Sequence, residues 1–362
     1  MIDRLSDKRL KFSFPLTSIK RCFILRIMND ILQRITAKKQ KLDAYKPLPI
    51  ELVKNIEDWL KVELTYSSNA IEGNTLSRIE TAEVIEKGVT AVISGKPLKD
   101  QMEAINHAKA VEFIKNLSSI RKSHQFITQQ DILDIHKIIL TGIDDHWAGK
   151  YRNTEVFIRG SNAEFPLPHL VPLAMSQFIE WLEGQQDIHP VQVAADAHYK
   201  FVTIHPFIDG NGRTTRLLMN LILQIHGYPM AVIRNEDRTA YLHSYEIARN
   251  EHSLEPFYTI VFTAVERSLD LYLDGLKNKQ PALDQFGFKR KTKLLKIGEL
   301  AKKTGETIHT LRYWTKEGLL TVSDHTKGGY QLYNSAAADR VKNIRTLQKE
   351  KRLSLAEIKR VT

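Results

Sequence analysis

The stretch His205-Pro206-Phe207-Ile208-Asp209-Gly210-Asn211-Gly212-Arg213-Thr214-Thr215-Arg216 decides how this chain is read. It brings an imidazole, a carboxylate, an amide between two glycines and two arginines into one short run. Apolar residues with helical spacing flank it, 194–201 before and 217–225 after. The spacing therefore predicts helix, tight loop, helix, which is a rigid mount for polar groups.

Each residue type has a task there. Gly210 and Gly212 permit backbone conformations in which successive N–H groups converge on an anion. A helix starting near Gly212 presents its N-terminus to phosphate. Arg213 and Arg216, three apart on a helix, share a face and can grip one polyphosphate. Asp209 is a hard oxygen ligand of the kind Mg²⁺ shares with phosphates. His205 titrates near neutrality and can take a proton from a hydroxyl. The set points to Mg-nucleotide binding beside a base, hence transfer of a phosphate-containing group to a hydroxyl. A calcium loop fails, because Arg213 and Asn220 stand where oxygen ligands are needed. A bare hairpin turn leaves the imidazole and both arginines unexplained.

The stretch resembles the Fic family pattern H-x-F-x-[D/E]-G-N-G-R-x-x-R, with every fixed position filled. That resemblance implies a mainly α fold, a Fic-type helical core with a small β-hairpin flap. It implies ATP held on Gly210, Asn211, Gly212, Arg213, Thr214, Thr215 and Arg216, Mg²⁺ on Asp209, and His205 as catalytic base. Upstream, Ser68-Asn69-Ala70-Ile71-Glu72-Gly73-Asn74 resembles the family's inhibitory motif [S/T]-x-x-x-E-[G/N] at Ser68, Glu72 and Gly73. By that likeness Glu72 pairs with Arg216, takes the place of a γ-phosphate and misaligns ATP. Downstream, Tyr241, Leu242 and Asn250 match positions that contact adenosine.

Residues 149–160 are β-branched and aromatic, bounded by glycines, and read as the one β-like stretch ahead of the loop. In Fic proteins this position is the flap, which pairs with an extended target segment. Val156, Phe157, Ile158 and Arg159 are then expected to line the target groove. The remaining body reads as helices: 31–59 interrupted at Lys46-Pro47-Leu48-Pro49, then 75–93 with a Ser77/Glu80 capping box, 101–117, 129–140, 173–182, 191–201 and 256–274.

The charge is uneven. The 362 residues carry a net +11, and from Lys289 onward there are 18 Lys/Arg against 7 Asp/Glu, which accounts for the whole excess. A basic module on a neutral body is the footprint of nucleic-acid binding. The series Lys296–Gly305, Thr307–Trp314 and Lys327–Tyr333 resembles the winged helix-turn-helix of the MerR family from about 294 to 362. Arg312, Tyr313, Lys316 and Tyr330 are then the phosphate and groove contacts for double-stranded DNA, with Trp314 where tyrosine is usual. The chain stops short of the long MerR dimerisation helix, so a homodimer would have to form through the Fic body.

The organisation expected is 1–27 as a disordered tail or misassigned extension with translation opening at Met28, 28–95 as the helical region with the inhibitory motif, 96–274 as the Fic domain, 275–293 as linker and 294–362 as the winged unit. Hydrophobic content is 42%, and no apolar run approaches the roughly 20 residues a membrane span needs. The single Cys22 excludes an internal disulfide and any cysteine zinc site, which suits a reducing cytoplasm. The activity implied is protein adenylylation: AMP passes from Mg-ATP to a Ser, Thr or Tyr hydroxyl of a target protein. Two other readings use the same residues, a DNA-binding regulator with a nucleotide-sensing site and an enzyme that removes AMP.

Overall fold

A computed structural model describes residues 18–91, 93–158, 162–277, 295–322, 324–326, 329–333, 336–350 and 358. Residues 1–17, Arg159 and most of the expected linker lie outside the described residues. Two compact units are present, 1–281 and 282–362.

The larger unit is built round α8, Asn211–Ile225. Its residues from Arg213 to Leu223 are buried on every face, as expected of a helix enclosed by others. α7, Pro190–Ile204, packs along it as the other arm of a hairpin. α4 (Leu98–Ile120) and α5 (Gln129–Leu140) cover further faces of α8, and α2 (Ile50–Ile71) lies against both α4 and α8. α6 (Val171–Glu183) supports α7. Beyond the core, α1 (Ser18–Asp43) lies along α10 (Glu255–Leu276). Ion pairs from Arg34 and Lys38 to Glu266, at 3.0 Å each, tie them. α9, Arg238–Asn250, packs on α10.

The helix starts follow the residues. Ser77 and Glu80 form the expected reciprocal cap on α3, Arg78–Lys87. That helix is shorter than the 75–93 expected, because Gly88 takes φ 60° and ψ −139°, open to glycine, and a 3-10 turn over Gly88–Thr90 follows. The other departure is the flap. Residues 151–158 form no strand among the described residues, and the chain bends at 153–154. The facing segment carries Pro166 and Pro168, which offer no N–H to a ladder. The segment's attachments go instead through Arg152. Its backbone N–H donates to the Pro206 carbonyl at 2.9 Å, and its guanidinium donates to the carbonyls of His205, Thr154 and Pro166.

The smaller unit carries β1 (Leu295–Lys296), α11 (Ile297–Thr304), α12 (Ile308–Lys316), β2 (Asp324–His325), β3 (Gln331–Tyr333) and α13 (Ala336–Glu350). Its antiparallel sheet has the order β1-β3-β2. Trp314, with Leu300, Leu311, Leu319, Tyr333 and Ile344, forms its core. The tryptophan is thus a packing residue, and Arg345 lies 5.0 Å over its ring.

Candidate active site

The loop between α7 and α8 is fixed from inside. His205 closes α7 in a left-handed conformation, φ 51°, and Gly210 opens α8 at φ 80°. Between them the buried Asn211 side chain accepts from the Phe207 N–H at 3.0 Å and donates to the Phe207 carbonyl at 2.8 Å. The Phe207 ring is fully buried and stacks on His136, centroids 3.5 Å apart. His136 accepts the Gly149 N–H on Nδ1 and therefore carries its proton on Nε2, which donates to the Asp209 carbonyl at 3.0 Å. Burial pulls the His136 pKa down to about 4, so the ring keeps this tautomer at neutral pH. One imidazole thus joins the flap's root to the loop.

This framework lines a cavity of about 610 Å³, within the range of small-molecule sites. His205, Asp209, Gly210, Asn211, Gly212 and Arg216 contribute to its wall, as do Glu72 and Ile158. Burial pulls the His205 pKa down to about 4, opposed by the Val202 carbonyl. The imidazole is therefore neutral at physiological pH, the form that accepts a proton. The Phe165 ring sits beside it, centroids 4.5 Å apart. Burial alone would raise the Asp209 pKa, but the Arg213 charge and the Gly210 N–H outweigh it and hold the carboxyl below its ordinary value. Its side chain is 53% exposed.

The arginines have separate settings. Arg213 is 2% exposed, with Nη1 3.0 Å from Glu103 and Nη2 3.2 Å from Asp209. Arg216 donates from Nε to the Ser68 hydroxyl and from Nη2 to the Ser68 carbonyl, both at 2.9 Å, and from Nη2 to Glu72 at 2.6 Å. Burial opposes the Arg216 charge, but Glu72 more than restores it and the pKa rises. Glu72 caps the C-terminus of α2, followed by Gly73 at φ 98°, where a glycine is needed. Its carboxylate lies so close to Gly212 that a Cβ there would meet Oε1 at 2.1 Å. The bare glycine makes the seat for the carboxylate.

Some expected contacts lie elsewhere. Thr214 and Thr215 are fully buried and do not line the cavity; the Thr215 hydroxyl donates to the His198 carbonyl at 3.1 Å. Tyr241 lines the cavity yet is 1% exposed, its hydroxyl engaged by His198 at 2.8 Å and by Tyr245 at 2.5 Å. Leu242 lines the cavity and is partly exposed, whereas Asn250 is exposed and outside the lining. In the flap, Phe157 and Ile158 are exposed and Val156 is half-buried. Arg238 begins the stretch matched to adenosine contacts, and it lines the cavity. The roles of His136, Arg152, Glu103 and Phe165 arise from contacts far along the chain and leave no local sign in the sequence.

A helix N-terminus, two glycines and a paired inner arginine beside a neutral imidazole repeat the sequence pattern in three dimensions. The Fic/DOC family model matches residues 126–223. A fragment of Fic-1 from C. elegans (residues 134–508) superposes with a TM-score of 0.65 at 31% identity, covering 72% of this chain and 76% of that one. The chain belongs to the Fic/DOC family. A Fic domain containing signaling protein from Bacteroides thetaiotaomicron gives a TM-score of 0.61 at 30% identity, over 69% of this chain and 99% of that one. Among curated Fic relatives, the protein adenylyltransferase Fic of Culex quinquefasciatus is 37% identical over 243 residues, 67% of this chain. The chain spans about half the length of the curated relatives it matches, 47% in this case. Outside the Fic unit, residues 295–362 match the MerR HTH family regulatory protein model. No helix among the described residues is long and apolar enough to cross a membrane.

Proposed function

We propose that the chain is an autoinhibited protein adenylyltransferase, with ATP and a hydroxyl-bearing protein as substrates. The observation that carries this is the joint setting of a neutral His205 and of Arg216 held by Glu72 at 2.6 Å on one cavity. Phosphates would lie against the N-terminus of α8, where aligned N–H groups favour anions. Mg²⁺ fits the donor set, because it is usually held by one or two carboxylates plus phosphate oxygens and Asp209 is the half-exposed carboxylate on the cavity. When bound, it would neutralise charge on the phosphates.

In the transfer, the target hydroxyl oxygen bonds to the α-phosphorus and the α–β bridging bond breaks, so that pyrophosphate leaves. His205 takes the hydroxyl proton. Arg216, once released from Glu72, holds the γ-phosphate. The protein's share of catalysis is positioning and charge neutralisation. The target enters beside residues 156–158, where Phe157 and Ile158 are exposed and the chain belongs to no helix or strand, which leaves room for pairing with an extended segment.

The test uses ATP labelled at the α-phosphate, with cell lysate as the source of target. The account expects weak labelling by the wild type, stronger labelling by Glu72→Gly and none by His205→Ala, which still binds ATP. Equal labelling by wild type and Glu72→Gly would remove the inhibitory role, and full activity in His205→Ala would remove the base.

The smaller unit supports a second activity, binding of double-stranded DNA. Arg312, Tyr313 and Lys316 form an exposed face of α12, and Tyr330 is 72% exposed beside β3. Retention on duplex DNA that falls steeply with salt is expected, and salt-independent retention would contradict it.

A further inference from the structure

The inhibitory turn is gripped at a place other than Glu72. The C-terminus of α2 leaves carbonyls without intrahelical partners and carries the negative end of the helix dipole. One of them, the Ile71 carbonyl, accepts a hydrogen bond from Arg238 Nε at 2.7 Å. Arg238 opens α9 and its exposed side chain also lines the cavity that holds His205. Two residues earlier, Glu236 takes Arg78, the first residue of α3, at 2.5 Å. Arg78 is in turn paired with the fully buried Glu63 of α2 at 3.0 Å, and its guanidinium lies 4.3 Å over the Tyr66 ring. The corner 235–238 thus holds the turn that carries Glu72 directly through Arg238 and, through Arg78, the stretch of α2 that leads into it. Asp237 anchors that corner, receiving Arg234 at 3.1 Å and Arg267 of α10 at 3.4 Å.

We infer that this corner is a nucleotide-responsive latch, in which Arg238 holds the Ile71 carbonyl while the cavity is empty of anion and exchanges it for a phosphate of the bound nucleotide. The inference rests on the transferase reading of the site. Both bonds use the charged guanidinium, but a phosphate oxygen carries a charge of its own and a peptide carbonyl does not, so the phosphate adds a direct Coulomb attraction that the carbonyl lacks. An anion in the cavity therefore outcompetes Ile71 for the guanidinium. The Ile71 carbonyl then loses its partner, the last turn of α2 frays, and Glu72 loosens from Arg216. Nucleotide binding and release of the inhibitor become reciprocal, as linkage requires. Glu236 and Arg78 limit how far the fraying travels, because their grip is on the α2 residues Glu63 and Tyr66 and lies outside the cavity lining.

Hydrogen exchange at amides 70–76 of the full chain measures the latch directly. The probe is the Mg complex of an ATP analogue with a non-cleavable α–β bridge. In the wild type the probe is expected to speed exchange at these amides. Arg238→Ala is expected to speed it about tenfold without the probe, the scale of one lost hydrogen bond to a charged group, and the probe should add nothing further. Glu236→Gln, which leaves the cavity intact, is expected to speed basal exchange and keep the response to the probe. Unchanged exchange in the wild type on adding the probe overturns the inference, as does a probe response that survives in Arg238→Ala. If Arg238→Ala fails to fold, the wild-type response and Glu236→Gln still decide it. Label transfer by Glu72→Gly tests the transferase reading independently, since its absence would leave the exchange result standing.

Discussion

Two segments face each other across the cavity and are built in opposite ways. The loop 205–216 is held by its own side chains: Asn211 pins Phe207 at both backbone polar atoms, Phe207 fills the core against His136, and Asp209 accepts the Gly210 N–H at 2.6 Å. The flap 151–158 is held at its start, by Arg152 and by Tyr151, whose hydroxyl donates to Gln129 at 3.0 Å, and exposes Phe157 and Ile158. In the proposed transfer the first would hold phosphate and base within fractions of an ångström. The second would admit a polypeptide whose side chains vary, with backbone pairing as the source of specificity. That reading divides rigid chemistry and adaptable docking between a self-bonded loop and an exposed segment held at one end.

Breaking the loop should cost most. Asn211→Ala leaves both Phe207 backbone groups buried without partners, and AMP transfer is expected to fall by at least about a hundredfold, the cost of a roughly 1 Å misplacement. Single-turnover rates check this, and a fall below tenfold would mean that the loop has other support. Arg152→Ala comes next. It frees the flap and also removes a donor from the His205 carbonyl, so both the rate and the KM for target are expected to worsen, together by about tenfold or more. Loss confined to KM would show that Arg152 serves the flap alone. Phe157→Ala should have the smallest effect, under about fivefold and in KM for target only, as for most exposed interface contacts.

Acid sharpens the same contrast, because it attacks the buried loop and spares the flap. The His136 pKa is near 4 in the folded protein and 6.5 when unfolded, and burial depresses His205 in the same way. Below pH 6.5 the unfolded chain takes up protons that the folded one refuses. Stability is therefore full above about 6.5 and falls as pH drops from there toward 4. A thermal-melting series across that range checks this; His136→Asn should flatten the slope. For activity, a base near 4 predicts a transfer rate that is level above pH 6 and declines only on approaching 4.

The loop was legible in the sequence because its partners lie within a few residues: Asn211 to Phe207, Arg213 to Asp209. The Glu72 contact was legible only by likeness, since the residues joined are 148 and 144 positions apart for Ser68 and Glu72. The flap's β-branched and aromatic composition predicted a paired strand, but composition does not tell which carbonyls Arg152 gathers. Tyr241 read as an open aromatic face, yet His198 and Tyr245 bury it. The Ile71 carbonyl bound by Arg238 is a backbone group, invisible to any reading of side chains.

The account comes down to which phosphorus is attacked once Glu72 no longer occupies Arg216. The direct measurement is a single reaction of the Glu72→Gly protein with ATP carrying distinguishable labels at the α- and γ-phosphates, following where each goes. The α-label should become covalently attached to protein and the γ-label should appear in pyrophosphate in equal amount. A γ-label on protein, or pyrophosphate without protein-bound α-label, would contradict the assignment of His205 and Arg216 to AMP transfer.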